Sequence, residues 1–189
     1  MALAATVLRF PLSRFTSRVG GVPQARDFDV RPLCTSDMSD VYVRVFEKWK
    51  SAGLSLAPPL ERAVIEQRFQ TASLDVGSDF VEFLVTVGGM TDSEEDSDLW
   101  SCWSIEKILR EAQSYKREGV LFADWCIHSH IHLVRRDSAT RSSVWVDFFS
   151  DDEPQKVSDS LEDFLERYLA KAETTYVFFD ALSIRKRVA

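Results

Sequence analysis

The hydrophobic period of this chain changes twice, and this constrains the fold more than any other feature. From Ser36 to about residue 119 the apolar residues recur with helical spacing, two runs then alternate, and helical spacing returns at Ser158. A helix repeats about every 3.6 residues and a strand about every 2. Helices on both sides of a compact strand region predict an α+β domain.

Two helices are predicted at the start of this domain, from apolar spacing and from residues that begin or end helices. The first follows Ser36 and ends at Gly53. The second covers about residues 60–70, after the proline pair in "APPLERAVIEQRF". The apolar stripe of the first helix consists of Tyr42, Val45, Phe46 and Trp49.

Two further helices are predicted before the strands. In "GSDFVEFLVTVGG", Asp79 is the expected N-cap, Glu82 closes a capping box, and the pair Gly88-Gly89 ends the helix. In "SIEKILREAQSYKREG", Ser104 is the expected N-cap and Gly119 the end.

The strand-like runs are "VLFADWCIHSHIHLVRR" and "SSVWVDFF", joined by the polar linker "DSATR". Their β-branched and aromatic residues predict an antiparallel hairpin. The segment "SDSLEDFLERYLA" predicts a closing helix, and the pattern of the tail after it fits either a strand or an extension.

The histidines His128, His130 and His132 lie at alternate positions of the first strand run. Alternate side chains of a strand share a face, so the three are predicted to lie on one face with Cys126. A zinc site would need further ligands, and the aspartates nearby have no recognised metal-site spacing with them. We therefore interpret the histidines as a solvent-facing or partner-facing stripe and predict no metal and no other cofactor.

The charge is divided between a basic arm and an acidic body. Four of the 23 basic residues, and no acidic residue, lie in residues 1–26, which leaves 19 basic against 30 acidic residues in the remainder. An acidic body does not suit nucleic-acid phosphate, and no apolar run approaches the ~20 residues that span a membrane. Residues 1–35 fit either a disordered arm or a mitochondrial transit peptide. The predicted domain covers residues 36–173, and residues 174–189 form a C-terminal extension.

The sequence shows no catalytic motif: GxSxG, HExxH and GxxxxGKS are all absent. Cys34, Cys102 and Cys126 are far apart and lack CxxC spacing, which favours a reducing compartment. A helix separates Cys102 from every histidine that could activate it. We predict that the protein is not an enzyme.

Two acidic loops are the remaining candidates for function. Such runs are either ordinary solvated loops or surfaces that steer a basic partner. We predict a partner-binding set of Asp92, Glu94, Glu95, Asp96, Asp98, Asp151, Asp152 and Glu153. Further candidate contacts are His128, His130, Trp145 and Phe149.

The order of these elements resembles the SUKH superfamily over about residues 53–172. The similar pieces are "AVIEQRF", "SDFVEFLVTVGG", "LWSCWSIEKIL", "VLFADW" and "SLEDFLERYL". Members typically have Leu-Pro before the second of these helices and Asn-Gly after it, where this chain has "LDVGSDF" and "VGG".

The resemblance implies a non-enzymatic α+β domain with helices packed around a mainly antiparallel sheet. Many members are immunity proteins that bind and neutralise a toxin, often a nuclease, in the cytoplasm of the producing cell. The resemblance therefore implies a protein partner, a basic toxin domain, while the acidic charge and the lack of a long apolar run predict that the chain binds neither nucleic acid nor membrane. The alternative is a regulatory adaptor of the fungal cell-wall type, and a third reading is a zinc-dependent hydrolase centred on the histidines. The expected location is the cytoplasm, or the mitochondrion if residues 1–26 are a transit peptide.

Overall fold

The computed structural model describes residues 39–92, 94–150 and 152–170, which form five helices and five strands. The helices are α1 (Asp40–Ser51), α2 (Arg62–Thr71), α3 (Ser78–Val87), α4 (Ile105–Ala112) and α5 (Leu161–Ala170). The strands are β1 (Trp100–Cys102), β2 (Val120–Trp125), β3 (His130–Ser138), β4 (Arg141–Asp147) and β5 (Gln155–Ser158). None of the helices in these ranges has the length and apolar character to cross a membrane.

The strands form one antiparallel sheet in the order β1-β2-β3-β4-β5, so each pairs with its neighbour in sequence. Helices α3 and α5 contact β4, and α4 contacts β2. The predicted α+β fold class, with helices packed around an antiparallel sheet, is confirmed.

Aromatic side chains form the centre of the core between α1, α5 and the sheet. The indole nitrogen of Trp49 donates a hydrogen bond to the Tyr168 hydroxyl at 2.6 Å. The Tyr168 ring lies 4.7 Å from the Trp100 ring, centroid to centroid. Phe122 and Phe164 pack beside Trp100. Both helices therefore face the sheet with the apolar stripes that their spacing predicts.

The third helix begins differently from the prediction. Its N-cap is Gly77, which makes no side-chain cap bond, so the prediction of Asp79 as the cap is wrong. The Asp79 carboxylate instead accepts hydrogen bonds from the main chain and the hydroxyl of Ser142 in β4, at 2.7 and 2.8 Å. Asp79 therefore joins α3 to β4, and its carboxylate also accepts the main-chain N–H of the next residue, Phe80, at 2.9 Å. The predicted glycine stop is confirmed, because Gly88 has φ +69° and a Cβ there would lie 2.3 Å from the Ala57 carbonyl oxygen.

The fourth helix is shorter than predicted. Ser104 caps it as expected, accepting from the Lys107 main chain at 3.5 Å, but it ends at Ala112 rather than near Gly119. Three residues after this end, the Tyr115 hydroxyl donates a hydrogen bond to the Asp147 carboxylate in β4 at 2.9 Å. The chain after Ala112 is therefore attached to the sheet by a partly buried side-chain contact instead of continuing as a helix.

The predicted first strand is in fact two strands. A turn at residues 126–129 separates β2 from β3, and Trp125 pairs directly with His130. The prediction of one continuous strand is wrong because the three residues after Trp125 have positive φ, which no strand tolerates. Strands β3 and β4 do form the predicted antiparallel hairpin.

Candidate protein-binding surface

One end of the sheet carries the large exposed apolar side chains of the described residues. These are Leu99 before β1, Ile127 in the turn between β2 and β3, and Phe149 after β4, exposed by 43%, 82% and 55%. The pairing of Trp100 with Trp125, of Trp125 with His130, and of Ile131 with Asp147 places these segments at the same end of the sheet. We call this the apolar end.

All three of these apolar residues have a left-handed backbone conformation. The φ angles are +63° at Leu99, +52° at Ile127 and +53° at Phe149. For a residue other than glycine this conformation costs about 1 kcal/mol or more, and it is rarest for β-branched residues such as isoleucine. The fold therefore stores strain at the three places where it exposes apolar surface.

A buried aspartate holds the turn that contains Ile127. Asp124, at the end of β2, is 4% exposed, and its Oδ1 accepts the main-chain N–H of His128 at 3.2 Å. Its Oδ2 accepts the indole N–H of Trp103 at 2.5 Å and the Lys107 ammonium at 3.2 Å. The carboxylate thus fixes the turn to α4 and is neutralised there.

A second buried aspartate holds Phe149. Asp147, at the end of β4, is 1% exposed, and its Oδ1 accepts the main-chain N–H of Phe149 at 2.8 Å. The Arg117 guanidinium donates to the same oxygen at 3.0 Å, and the Tyr115 hydroxyl donates to Oδ2 at 2.9 Å. Burial, together with this bond to Asp147, raises the pKa of Tyr115 well above its ordinary value, so its hydroxyl remains a donor.

A third buried aspartate holds the segment around Leu99. Asp96 accepts the main-chain N–H groups of Asp98 and Trp100, which flank Leu99, at 2.8 and 3.1 Å. The Tyr168 hydroxyl donates to its other oxygen, and the Lys48 ammonium lies 3.9 Å from that oxygen.

The three aspartates share one arrangement. Each accepts a main-chain N–H beside or at a left-handed residue, each accepts a bond from an aromatic side chain, and each faces a cation. They are the buried carboxylates of the described residues. A charge is tolerated in a protein interior only when it is paired and hydrogen-bonded. The apolar end is therefore held rigidly from beneath.

The predicted acidic residues divide into two groups. Asp92, Glu94 and Glu95 line a cavity of about 490 Å³ beside Ile127. Asp152 and Glu153 are exposed shortly after Phe149 in the chain. These five residues therefore lie on or close to the apolar end, whereas Asp151 lies outside the described residues.

The other two predicted residues need a correction. Asp96 is 5% exposed, and the Asp98 side chain is 11% exposed and lies 3.8 Å from the Lys48 ammonium. Both face the core because their loop folds back onto α1 and α5. Asp96 has a structural role beneath the surface and is not available as a contact.

The interpretation of the histidines as one outward stripe is wrong. His128 is exposed in the turn, but His130 and His132 are 4% and 1% exposed, with ring centroids 5.4 Å apart. Helix α5 covers this face, and its Phe164 ring lies 5.2 Å from His132. Burial lowers the pKa of His130 to about 4 and that of His132 well below its ordinary value. Both imidazoles are therefore neutral core residues near pH 7.

Two further predicted residues can now be placed. Trp145 lies within the sheet opposite Leu133, and the Arg135 guanidinium covers its ring at 4.1 Å, away from the apolar end. Cys102 is fully buried, and burial raises the pKa of its thiol well above its ordinary value. A thiol held protonated in this way is not poised as a nucleophile.

Within the described ranges, no three or more His, Cys, Asp or Glu side chains are grouped so as to hold a metal ion. Comparisons with known proteins give no match to a family model, a curated protein or a solved structure. The resemblance to the SUKH superfamily therefore remains a prediction.

Sequence reasoning missed Leu99 and Ile127. Single apolar residues in polar surroundings are common, so neither residue is conspicuous in the sequence. The one sequence cue for this turn was Asp124, two residues before residue 126, because aspartate is common at turns. The spacing alone does not distinguish such a turn from a continued strand.

Proposed function

We propose that this chain is a non-enzymatic protein-binding domain of the immunity type, which neutralises a basic protein, a nuclease toxin domain, by covering it. The observation that carries the proposal is the set of three exposed apolar side chains held on strained backbone at one end of the sheet. Clustered exposed apolar side chains mark interaction sites, and backbone strain concentrates at functional sites.

Rigidity supports binding over a purely structural role for this end. Leu99, Ile127 and Phe149 are exposed and contribute little to the core. Their left-handed backbone therefore destabilises the fold, and core packing does not offset this cost. A rigid apolar surface loses less conformational entropy on association than a flexible one. The free-energy cost of this strained backbone is consistent with a surface that a partner covers.

The charge around the apolar end supports a basic partner. Glu94 and Glu95 lie at its cavity and form no ion pair among the described residues. Acidic groups at the rim of an interface accelerate association with a basic surface. A nuclease domain offers such a surface, because its cleft must attract phosphate. The resemblance to SUKH immunity proteins agrees with this reading.

The polar groups beneath the surface support binding over catalysis. Asp124 and Asp147 are engaged in structural bonds, and His130 is neutral and buried. A general acid or base must reach the substrate proton and titrate near the working pH. These three groups are poorly suited to that task.

The proposal is tested by finding the partner and then removing the surface. The tagged full-length chain is used to isolate partners from its host, and each is purified and titrated against the wild type. The variant Leu99→Ser/Ile127→Ser/Phe149→Ser should bind a true partner about a hundredfold more weakly, because central apolar contacts contribute most of the binding free energy of an interface. Thr140→Ala, in the exposed turn at the opposite end of the sheet, is the control and should bind normally.

The nature of the partner then separates the alternatives. A secreted toxin whose activity is abolished on binding supports immunity, whereas several cellular proteins bound at the same surface support an adaptor. Equal affinity of the triple variant and the wild type would show that the apolar end is not the binding surface.

A further inference from the structure

We infer that the apolar end carries a groove in two parts, which accepts one partner segment bearing a cationic side chain beside an apolar or aromatic one. This inference rests on the proposed function and specifies the chemistry of the partner segment. It follows from two cavities of different charge that meet at shared residues.

The first part of the groove has an excess of negative charge. Its volume is about 490 Å³, and the described residues that line it include five acidic and two basic ones. Arg110 lies 3.3 Å from Asp92 and 3.4 Å from Glu111, so its charge is already compensated. The acidic residues left over are Glu94 and Glu95.

The Lys107 ammonium does not cancel this excess. It is bound to Asp124 at 3.2 Å and lies 4.5 Å from the centre of the Trp103 ring, with 12% of its side chain exposed. The lysine and the aspartate neutralise each other at the base of the groove. A cation entering above them meets Glu94 and Glu95, which form no ion pair within the part of the chain that the structure describes.

The second part of the groove has a balanced charge and more apolar walls. Its volume is about 360 Å³, and its lining includes Leu121, Ile131 and Phe149. Leu121 and Ile131 are each 4% exposed, so they offer a small apolar floor, while Phe149 offers an open ring face. The Arg117 charge there is neutralised by Asp147 at 3.0 Å. An apolar or aromatic side chain suits this part.

The two parts adjoin. Glu111 and His128 line both cavities, and Ile127 lines the first. One segment lying across this boundary can therefore place a lysine or arginine near Glu94 and Glu95 while an adjacent side chain packs on Phe149. Arginine fits best on chemical grounds, because its planar fork pairs with carboxylates and stacks on rings.

Charge selects this occupant over two others. A second copy of the chain would bring its own acidic groove against this one, and nucleic acid would bring phosphates. Like charges brought together at an interface cost free energy. A basic protein segment is the occupant that both parts of the groove favour.

The test uses short random peptides displayed on phage, selected on the immobilised full-length protein at low salt. We expect enrichment of sequences that place lysine or arginine at a constant spacing from an aromatic or large aliphatic residue. Synthetic copies of the selected peptides are then titrated against the wild type and variants. Glu94→Gln/Glu95→Gln and Phe149→Ser should each weaken binding by about tenfold.

A matched control separates local from overall charge. Glu47→Gln/Glu61→Gln changes the net charge by the same amount at two exposed positions, one in α1 and one directly before α2. This double variant should leave peptide affinity unchanged. Equal weakening in both double variants would overturn the inference, as would enrichment of acidic sequences or of no sequence. Self-association of the wild type that competes with the peptides, or displacement by a nucleic-acid oligomer, would also overturn it.

These outcomes are distinguishable from failure of the proposed function. If a natural partner depends on Leu99, Ile127 and Phe149 but its contact segment carries no cation, the groove inference fails while protein binding stands. If peptides bind as expected but the natural partners do not require the apolar end, the proposed function fails instead.

Discussion

The Asp147 carboxylate binds the main-chain N–H of Phe149 at 2.8 Å and the Arg117 guanidinium at 3.0 Å through the same oxygen. One buried charge therefore fixes both the exposed ring and the segment that follows α4. Removing one partner of a buried ion pair leaves the other uncompensated, which costs more than removing both.

A double-mutant cycle on this pair should show strong coupling. We expect Asp147→Asn alone to lower the free energy of unfolding by about 3 kcal/mol, because Arg117 then lacks its counter-charge. Adding Arg117→Gln should restore part of that loss, as measured by urea denaturation of all four proteins. Strictly additive effects would show that the two side chains do not depend on each other.

The strain at Ile127 predicts a mutation that stabilises the fold and impairs binding. Asparagine tolerates left-handed backbone better than a β-branched residue, and Ile127 is 82% exposed, so little packing is lost. We expect Ile127→Asn to raise the free energy of unfolding by about 1 kcal/mol and to lower the affinity for a partner that contacts this turn. Ile127→Val keeps the β-branch and should leave stability within about 0.5 kcal/mol. A destabilised asparagine variant would mean that Ile127 is held by packing.

The buried histidines predict a loss of stability in mild acid. The folded-state pKa of His130 is lowered to about 4, and that of His132 lies well below its ordinary value, in both cases because of burial. In the unfolded chain both histidines take up protons as the pH falls through about 6.5, whereas the folded chain does not. The free energy of unfolding should therefore fall with decreasing pH by up to about 1.4 kcal/mol per pH unit for each imidazole.

Variants assign this acid sensitivity to its source. His132→Gln should reduce the slope of unfolding free energy between about pH 6 and pH 5, measured by chemical denaturation. Thr140→Ala, in the exposed turn between β3 and β4, removes no titratable group, so it is the control and should keep the wild-type slope. If the His132 variant also keeps that slope, the imidazole is not held neutral by the core.

The regular elements were predictable because local periodicity and long-range packing agree there. The stripe of α1 and the glycine stop of α3 follow from sequence spacing, and the structure buries Tyr42 and Trp49 as the spacing requires. The turn at residues 126–129 was not predictable in the same way. Asp124 stabilises it by accepting the His128 main-chain N–H, and Lys107 of α4, a separate segment, binds that carboxylate. The alternating pattern around the turn is that of an ordinary strand.

The acidic loops were also predictable only in part. Composition identified the loop from Asp92 to Asp98 as a candidate surface, but it could not tell Glu95, which is exposed, from Asp96, which is buried. That difference depends on Tyr168 and Lys48, which are remote in sequence from the loop. Only the folded chain separates the two neighbouring carboxylates.

These neighbouring carboxylates give the last prediction. Asp96→Asn removes a buried charge that faces Lys48, so it should lower the free energy of unfolding by about 3 kcal/mol. Glu95→Lys changes an exposed residue, so stability should stay within about 0.5 kcal/mol while association with a basic partner slows and becomes less sensitive to salt. Urea denaturation measures the first effect, and association rates at low and high ionic strength measure the second. Unchanged association of Glu95→Lys at low salt would show that charge at this loop does not steer the partner, and unchanged stability of Asp96→Asn would show that the fold does not need the negative charge of Asp96 opposite Lys48.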